Sequence, residues 1–317
     1  MQTKLKISTT ILYLHEDYEN LKKTIDSIQN EIDNVFLITD KNYFYNDLKY
    51  ETILIKKFNG DYSDCRNSIK YNLPNHLLFH LNCGETLETK NIKDYLEEEK
   101  NYKINVIYDQ FILKEIRITT KKDFTFYNKV YETLSCENCL NSIIKINTNK
   151  ITKNNYSNYL SDWEKKEPLN SQVLYYKAID FLYKGDYKNF IIESEKVIFK
   201  QNLNEENDLL IRYYLCNVFL YKEKNSQKFI QNILTLLAKK PEMPEFWCMA
   251  GDYWYLNNNF KNAKQFYTYA TLAARHRDFN DNMFYMPEKY HNYPNKMIKN
   301  CDEILKKHVS YFSKKLP

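Results

Sequence analysis

The segment Asn59-Gly60-Asp61-Tyr62-Ser63-Asp64-Cys65-Arg66-Asn67, with the later run Leu77-Leu78-Phe79-His80-Leu81 closing on Asn82-Cys83-Gly84-Glu85, decides the fold class of the first half of this chain. A polar turn leads into a helix expected over 64–71 with Ser63 as its amino-terminal cap, because a serine oxygen there satisfies N–H groups that the first turn leaves unpaired. The apolar run that follows, bounded by polar turns, reads as a buried strand. Working outward, strands are expected at 8–14, 35–39, 52–57, 77–81, 104–108, 115–119 and 143–147. A helix is expected over 19–28, where Leu21, Ile25 and Ile28 share one face. Short β-rich runs alternating with amphipathic segments predict an α/β domain with a mostly parallel sheet across 1–150.

At 317 residues, two domains are the first expectation. Aromatics at 16% and the apolar set at 43% describe a chain that folds. The net charge of +5 arises from 46 Lys and Arg against 41 Asp and Glu, interspersed along the sequence, which argues against a nucleic-acid platform. Seven cysteines without regular spacing fit a reduced cytoplasmic chain better than a disulfide framework. Ile7 to Leu14, broken by Ser8, Thr9 and Thr10, reads as a first strand rather than a signal peptide. No stretch has the apolar length of a transmembrane segment.

After Thr148 the polar stretch 149–158 carries no core pattern, and 151–170 is read as a linker. From about Gln172 the strands vanish and a helical period sets in. Trp247, Ala250, Gly251, Trp254, Phe260, Ala263, Tyr267 and Ala270 resemble the tetratricopeptide spacing, in which small residues let two antiparallel helices approach. Tyr213, Cys216, Leu220, Phe229, Leu236 and Pro241 occupy equivalent places one repeat upstream. Ala178, Phe181, Gly185, Tyr187 and Val197 form a third copy. Three such units bury a continuous core where one cannot. The expectation is an all-α tetratricopeptide-repeat domain with a C-terminal extension over 171–317; an ordinary helical hairpin domain is the alternative.

With both halves placed, the chain resembles family-2 glycosyltransferases of the GT-A fold followed by tetratricopeptide repeats. The resemblance implies a GT-A-like, Rossmann-like α/β domain ahead of the repeats. His15, Glu16 and Asp17 stand where the family carries Lys-Asn-Glu after its first strand, with Asp17 at the glutamate place. Asp40 matches the aspartate that contacts base and ribose. Asp61-Tyr62-Ser63 with Arg66-Asn67 is similar to the Asp-Phe-Ser…Arg-Asn signature bordering the donor pocket. Lys114-Glu115-Ile116-Arg117-Ile118 and Asn128-Lys129-Val130-Tyr131-Glu132 resemble segments near the acceptor, Tyr131 replacing the usual histidine and Glu132 being retained. Arg277-Asp278, Asp281-Asn282-Met283-Phe284 and Tyr290 resemble a closing segment that follows repeats in such proteins. The family strand ends Asp-x-Asp-Glu; here it ends Asn82-Cys83-Gly84-Glu85, a degenerate DxD that lacks both metal-binding aspartates.

The resemblance implies an inverting transferase, its donor a nucleoside diphosphate sugar and its acceptor a protein, peptide or glycan presented by the repeats. Asp17, Asp40, Asp61, Arg66, Asn67, Asn82 and Arg117 are the implied donor-binding residues. Such a reaction must neutralise a departing diphosphate and deprotonate a nucleophile. Gly84 offers no ligand, so a tight Mg²⁺ or Mn²⁺ site is not expected. Either Arg66, Arg117, Lys121 and Lys122 neutralise the diphosphate, or the domain is a catalytically inactive adaptor that binds a protein partner through its repeats. Glu132 is the candidate base and Glu85 the next. A glutamate at a strand end is also an ordinary solvated group.

Cys136-Glu137-Asn138-Cys139 has the spacing of half a zinc knuckle or a redox dithiol, yet no second Cys pair or nearby His pair completes a tetrahedral set, and the pair reads as ordinary structural residues. His76 and His80 read as structural, and Arg275-His276-Arg277 as cations at a helix end. No Gly-rich phosphate loop, zinc helix or nucleophile elbow occurs, and the chain has four glycines.

Overall fold

The computed structural model describes residues 5–14, 18–43, 45–55, 58, 60–108, 111–120, 124–128, 133–148, 156–168, 170–200, 202–279, 281 and 283–313. It divides into two compact units, Met1–Pro168 and Leu169–Pro317.

The first unit runs β1 (Ile7–Leu12), α1 (Tyr18–Ile28), β2 (Asn34–Thr39), β3 (Glu51–Leu54), α2 (Tyr62–Ser68), β4 (Leu77–Asn82), β5 (Thr86–Leu87), β6 (Asn101–Tyr108), β7 (Phe111–Thr119), β8 (Thr125–Tyr127), β9 (Thr133–Ser135), β10 (Cys139–Asn147) and α3 (Tyr156–Lys166). Among the described residues, eight strands form one sheet in the order β3-β2-β1-β4-β7-β6-β10-β5, and β8 pairs with β9. The sheet is mixed, which corrects the expectation of a mostly parallel one. β1 runs parallel to β2 and β4, β2 to β3, and β6 to β10, whereas β7 is antiparallel to both β4 and β6, and β5 to β10. Two residues separate β6 from β7, and so short a link makes only an antiparallel hairpin, since parallel neighbours need a crossover of a dozen or more residues.

All six residues of β1 are buried, as a central strand covered on both faces requires. Alternation in β4 divides its side chains. Leu77, Phe79 and Leu81 join Leu21, Ile25 and Ile28 of α1 in one core, and Leu78 joins Tyr62 and Cys65 of α2, with Phe124 and Phe126, in the other. The helix α2 starts two residues ahead of the expected one. Its cap is Asp61, not Ser63: Asp61 Oδ1 accepts from the Asp64 N–H at 2.9 Å and from Ser63 Oγ at 2.7 Å. The stretch 151–170, read as a linker, carries α3. Leu160 and Trp163 of that helix are buried, and the Tyr159 ring lies 5.5 Å from Phe58 and 6.1 Å from Tyr62.

The second unit comprises α4 (Ser171–Lys184), α5 (Tyr187–Lys200), α6 (Glu205–Tyr221), α7 (Ser226–Lys239), α8 (Pro244–Leu256), α9 (Phe260–His276), α10 (Pro287–Tyr290) and α11 (Asn292–Ser313). α4–α5, α6–α7 and α8–α9 form successive helical hairpins, and α11 packs on α9. Asn170, Asn204, Asn225 and Asn259 each cap a helix by accepting a backbone N–H, so part of the asparagine excess has a structural use. Gly251 has a packing reason: a Cβ there would stand 2.6 Å from the Tyr267 ring. Tyr267 is pinned in turn, because its hydroxyl donates to Asp252 Oδ1 at 2.7 Å, as does Tyr293 at 2.5 Å.

Candidate functional site

The chain leaves β1 for β2 and β3 on one side, then returns to β4 on the other. Connections diverge where β1 and β4 lie side by side, and in open α/β sheets ligands bind outside the carboxyl ends of strands at such a switch point. Three groups stand at these ends: Tyr13 and Leu14 after β1, Asp40 after β2, and the Asn82–Glu85 turn after β4.

The turn is the centre of a buried ionic network. Gly84 has φ +92°, a left-handed conformation that glycine adopts without penalty, and its N–H donates to Thr24 Oγ1 at 2.8 Å. The chain thereby folds back so that Glu85 accepts from the Asn82 N–H at 2.7 Å and from Asn82 Nδ2 at 3.0 Å. Arg117 grips the same carboxylate through Nη2 at 2.9 Å and Nη1 at 3.2 Å. On its other edge Arg117 holds Glu115 Oε2, at 2.9 Å from Nη2, and Glu115 Oε1 accepts from the Tyr108 hydroxyl at 2.5 Å. Arg66 closes the opposite end, donating from Nη2 to Asn82 Oδ1 at 2.5 Å and to the Leu81 carbonyl at 3.2 Å, its guanidinium 5.1 Å from the Phe126 ring.

Burial sets the electrostatics. Glu85 is 4% exposed, and burial raises its carboxyl above the usual range while Arg117 pulls it back. Burial works against the Arg117 charge too, but Glu85 and Glu115 outweigh it and hold the guanidinium above its ordinary value. His80 bonds Thr10 through Nδ1 and Thr119 through Nε2, both at 2.9 Å. Burial, then Arg66 and Arg117, push its pKa well down, so it is a neutral structural histidine.

The candidate residues divide. Arg66, Asn82, Glu85 and Arg117 come together in this one network. Asn67 pairs through its amide with the Phe126 backbone, donating at 2.8 Å and accepting at 2.9 Å, which moors β8 to α2. Asp61 caps α2. Asp40 is half-buried, and its Oδ1 is buried with no hydrogen-bond partner among the described residues. Asp17, Lys121, Lys122 and Glu132 lie outside the described residues. Sequence reasoning missed Tyr108 and the ion-pair role of Glu115; the signal was the spacing of Glu115 and Arg117, two apart and so on one face of a strand. The rings of Tyr13, Tyr43 and Tyr45 cluster, Tyr13 lying 4.9 Å from Tyr43 and bonding the Tyr45 hydroxyl at 3.0 Å. Among the described residues no group of three His, Cys, Asp or Glu could hold a metal ion. None of the described helices is long and apolar enough to cross a membrane.

No protein-family model matches the chain, and no curated protein matches it. Among solved structures, S. aureus TarS 1-349 in complex with UDP-GlcNAc is similar at 9% identity with a TM-score of 0.32, over 94% of this chain and 92% of that one. MamA 41-end from Desulfovibrio magneticus RS-1 is similar at 17% identity with a TM-score of 0.38, over 53% of this chain and 89% of that one. Yeast Tom70 follows at 21% identity and 0.31, over 41% of this chain and 25% of that one. Likeness this weak bears on neither fold nor activity.

Proposed function

We propose that the chain is a glycosyltransferase-type protein that binds a nucleoside diphosphate sugar without a metal ion and transfers the sugar, with inversion, to a protein or glycan acceptor held by tetratricopeptide-like repeats. The observation that carries this reading is Asp40: a carboxylate oxygen that is buried and has no hydrogen-bond partner among the described residues, at the carboxyl end of β2, is an acceptor for a ribose hydroxyl or a base N–H. Asp17, Asp61, Arg66, Asn67, Asn82 and Arg117 complete the donor-binding set. In the transfer, an acceptor hydroxyl attacks the anomeric carbon, its proton passes to the Glu132 carboxylate, and the bond to the diphosphate breaks, Arg66 offsetting the charge that develops. Glu85, gripped by Arg117 and Asn82, positions Arg117, which leaves the base to Glu132. Under this reading the protein works in the cytoplasm, with no nucleic-acid partner.

Calorimetry with a panel of nucleoside diphosphate sugars, with and without Mn²⁺, tests the proposal. One donor should bind equally well without metal and at least about tenfold more weakly to Asp40→Ala, the cost of about one lost charge-assisted hydrogen bond. Failure of every donor to bind would overturn it. A second reading is favoured by the pairing of Glu85 with both Asn82 and Arg117: an adaptor without turnover. Donor binding with neither transfer nor hydrolysis would select it.

A further inference from the structure

Cys136 and Cys139 have no part in the site above. Cys136 follows β9 and Cys139 opens β10; both are half-buried, and their Sγ atoms lie 2.6 Å apart. A disulfide holds its sulfurs about 2.05 Å apart, so the two thiols sit just beyond bonding distance. The turn between them is held in advance. Asn138 has φ +50°, a left-handed conformation that asparagine tolerates. Asn101, 5% exposed, donates to the Glu137 carbonyl at 2.8 Å and accepts from the Thr120 N–H at 2.8 Å, tying the turn to the end of β7. Among the described residues no third metal ligand joins the pair, and two thiols this close have the arrangement that a dithiol–disulfide couple needs.

We propose that Cys136 and Cys139 are a redox-active dithiol that closes to an intramolecular disulfide by exchange with a low-molecular-weight disulfide. One cysteine loses its proton, and the thiolate attacks a sulfur of the small disulfide. That S–S bond breaks, a small thiolate leaves, and a mixed disulfide remains on the protein. The second cysteine, deprotonated in turn, attacks the protein sulfur of the mixed disulfide and expels the other small thiolate. Two cysteine thiols are oxidised and one small disulfide is reduced to two thiols, the leaving thiolates taking up the protons released. Half-exposure admits the reagent, and the adjacent second sulfur favours ring closure over a lasting mixed disulfide. Cys65, Cys216, Cys248 and Cys301 are buried, and burial pushes the Cys216 and Cys248 thiols upward, which makes that pair unreactive toward the same reagent. Closure would staple β9, whose Leu134 packs in the core with Phe124 and Phe126, to β10 of the main sheet.

The full chain, equilibrated in graded mixtures of reduced and oxidised glutathione, alkylated, and mapped by peptide mass spectrometry, reads this directly. The expected result is that the peptide holding both cysteines loses two hydrogens, escapes alkylation, and returns to the dithiol with excess reduced glutathione. The folded chain should oxidise at a ratio at least about tenfold more reducing than the same chain in denaturant, about 30 mV for this two-electron couple. Alkylation of both thiols throughout, separate glutathione adducts, or one midpoint for folded and unfolded chains would overturn the proposal. Cys139→Ser should retain glutathione at Cys136; if that variant does not fold, the comparison on the unmodified chain decides alone.

Discussion

Arg117→Met isolates the worth of the buried network. In the unmodified chain the Glu85 side chain is 5% exposed and receives two bonds from Arg117. Methionine fills similar volume but leaves Glu85 with only the two donors of Asn82. Breaking a buried pair by removing one partner costs about 3–5 kcal/mol, mostly the desolvation of the charge left behind. The pH dependence follows from the raised Glu85 carboxyl. A carboxyl raised in the folded state contributes stability that is complete below its unfolded pKa and is lost as pH rises through its folded pKa. Arg117 opposes that rise, so removing it deepens the loss. The variant should be destabilised by about 3–5 kcal/mol near pH 7 and by clearly less below about pH 4.5, where Glu85 is neutral. Hydrogen exchange read by mass spectrometry at the β4 and β7 amides should quicken at least about a hundredfold, about 1.4 kcal/mol being tenfold. Glu85→Gln added to Arg117→Met removes the stranded charge and should restore most of the protection. A single variant costing under about 1 kcal/mol, or a double variant no better protected than the single, would refute the reasoning.

Gly251→Ala should destabilise the helical unit by about 1–3 kcal/mol, because the new Cβ meets a Tyr267 ring that its bond to Asp252 holds in place; thermal unfolding with an unshifted midpoint would contradict this. Glu245, fully buried in α8, has its pKa raised from 4.5 to about 7, by burial first and against the Met286 N–H that bonds it at 2.7 Å. The sign is that of any raised carboxyl: the helical unit should lose on the order of 3 kcal/mol as pH climbs from below about 4.5 to above about 7. Glu245→Gln should flatten that slope in urea titrations at several pH values, and an unchanged slope would count against the assignment.

β2 and β4 were legible because residues 35–38 and 77–79 are continuous apolar runs, whereas β1 is buried despite Ser8, Thr9 and Thr10; β4 differs from its expected span by one residue. The helix α1 was equally plain, since Leu21, Ile25 and Ile28 recur at helical spacing. The strands β5, β8 and β9 have two or three residues each, too few for a period of two to show. β8 owes its place to the side chain of Asn67, a tertiary contact across 59 residues. Strand direction was misread for a related reason. Alternating β-rich and amphipathic segments suggest crossovers, but the near-adjacency of β6 and β7 forces a hairpin that sets β7 antiparallel to both of its neighbours. α3 was hidden because its buried positions, Leu160 and Trp163, with Tyr159 beside them, stand in a polar stretch.

Four of the candidate residues, Arg66, Asn82, Glu85 and Arg117, meet in one network whose pairings the sequence did not carry, and Asn82 shows why. Its side-chain oxygen accepts from Arg66 and its nitrogen donates to Glu85, a double function open to an amide and closed to a carboxylate. An aspartate there would set a second anion against Glu85, a repulsion that a divalent cation relieves and that the described residues offer no metal site to relieve. An amide at position 82 and a carboxylate at position 85 are therefore parts of one arrangement. With an amide at Asn82, Glu85 is left to pair with Arg117 across the strand ends. From sequence alone, Glu85 could only be matched to a motif. Its partner stands 32 residues away on an antiparallel strand, and the pairing of β4 with β7 brings the two together.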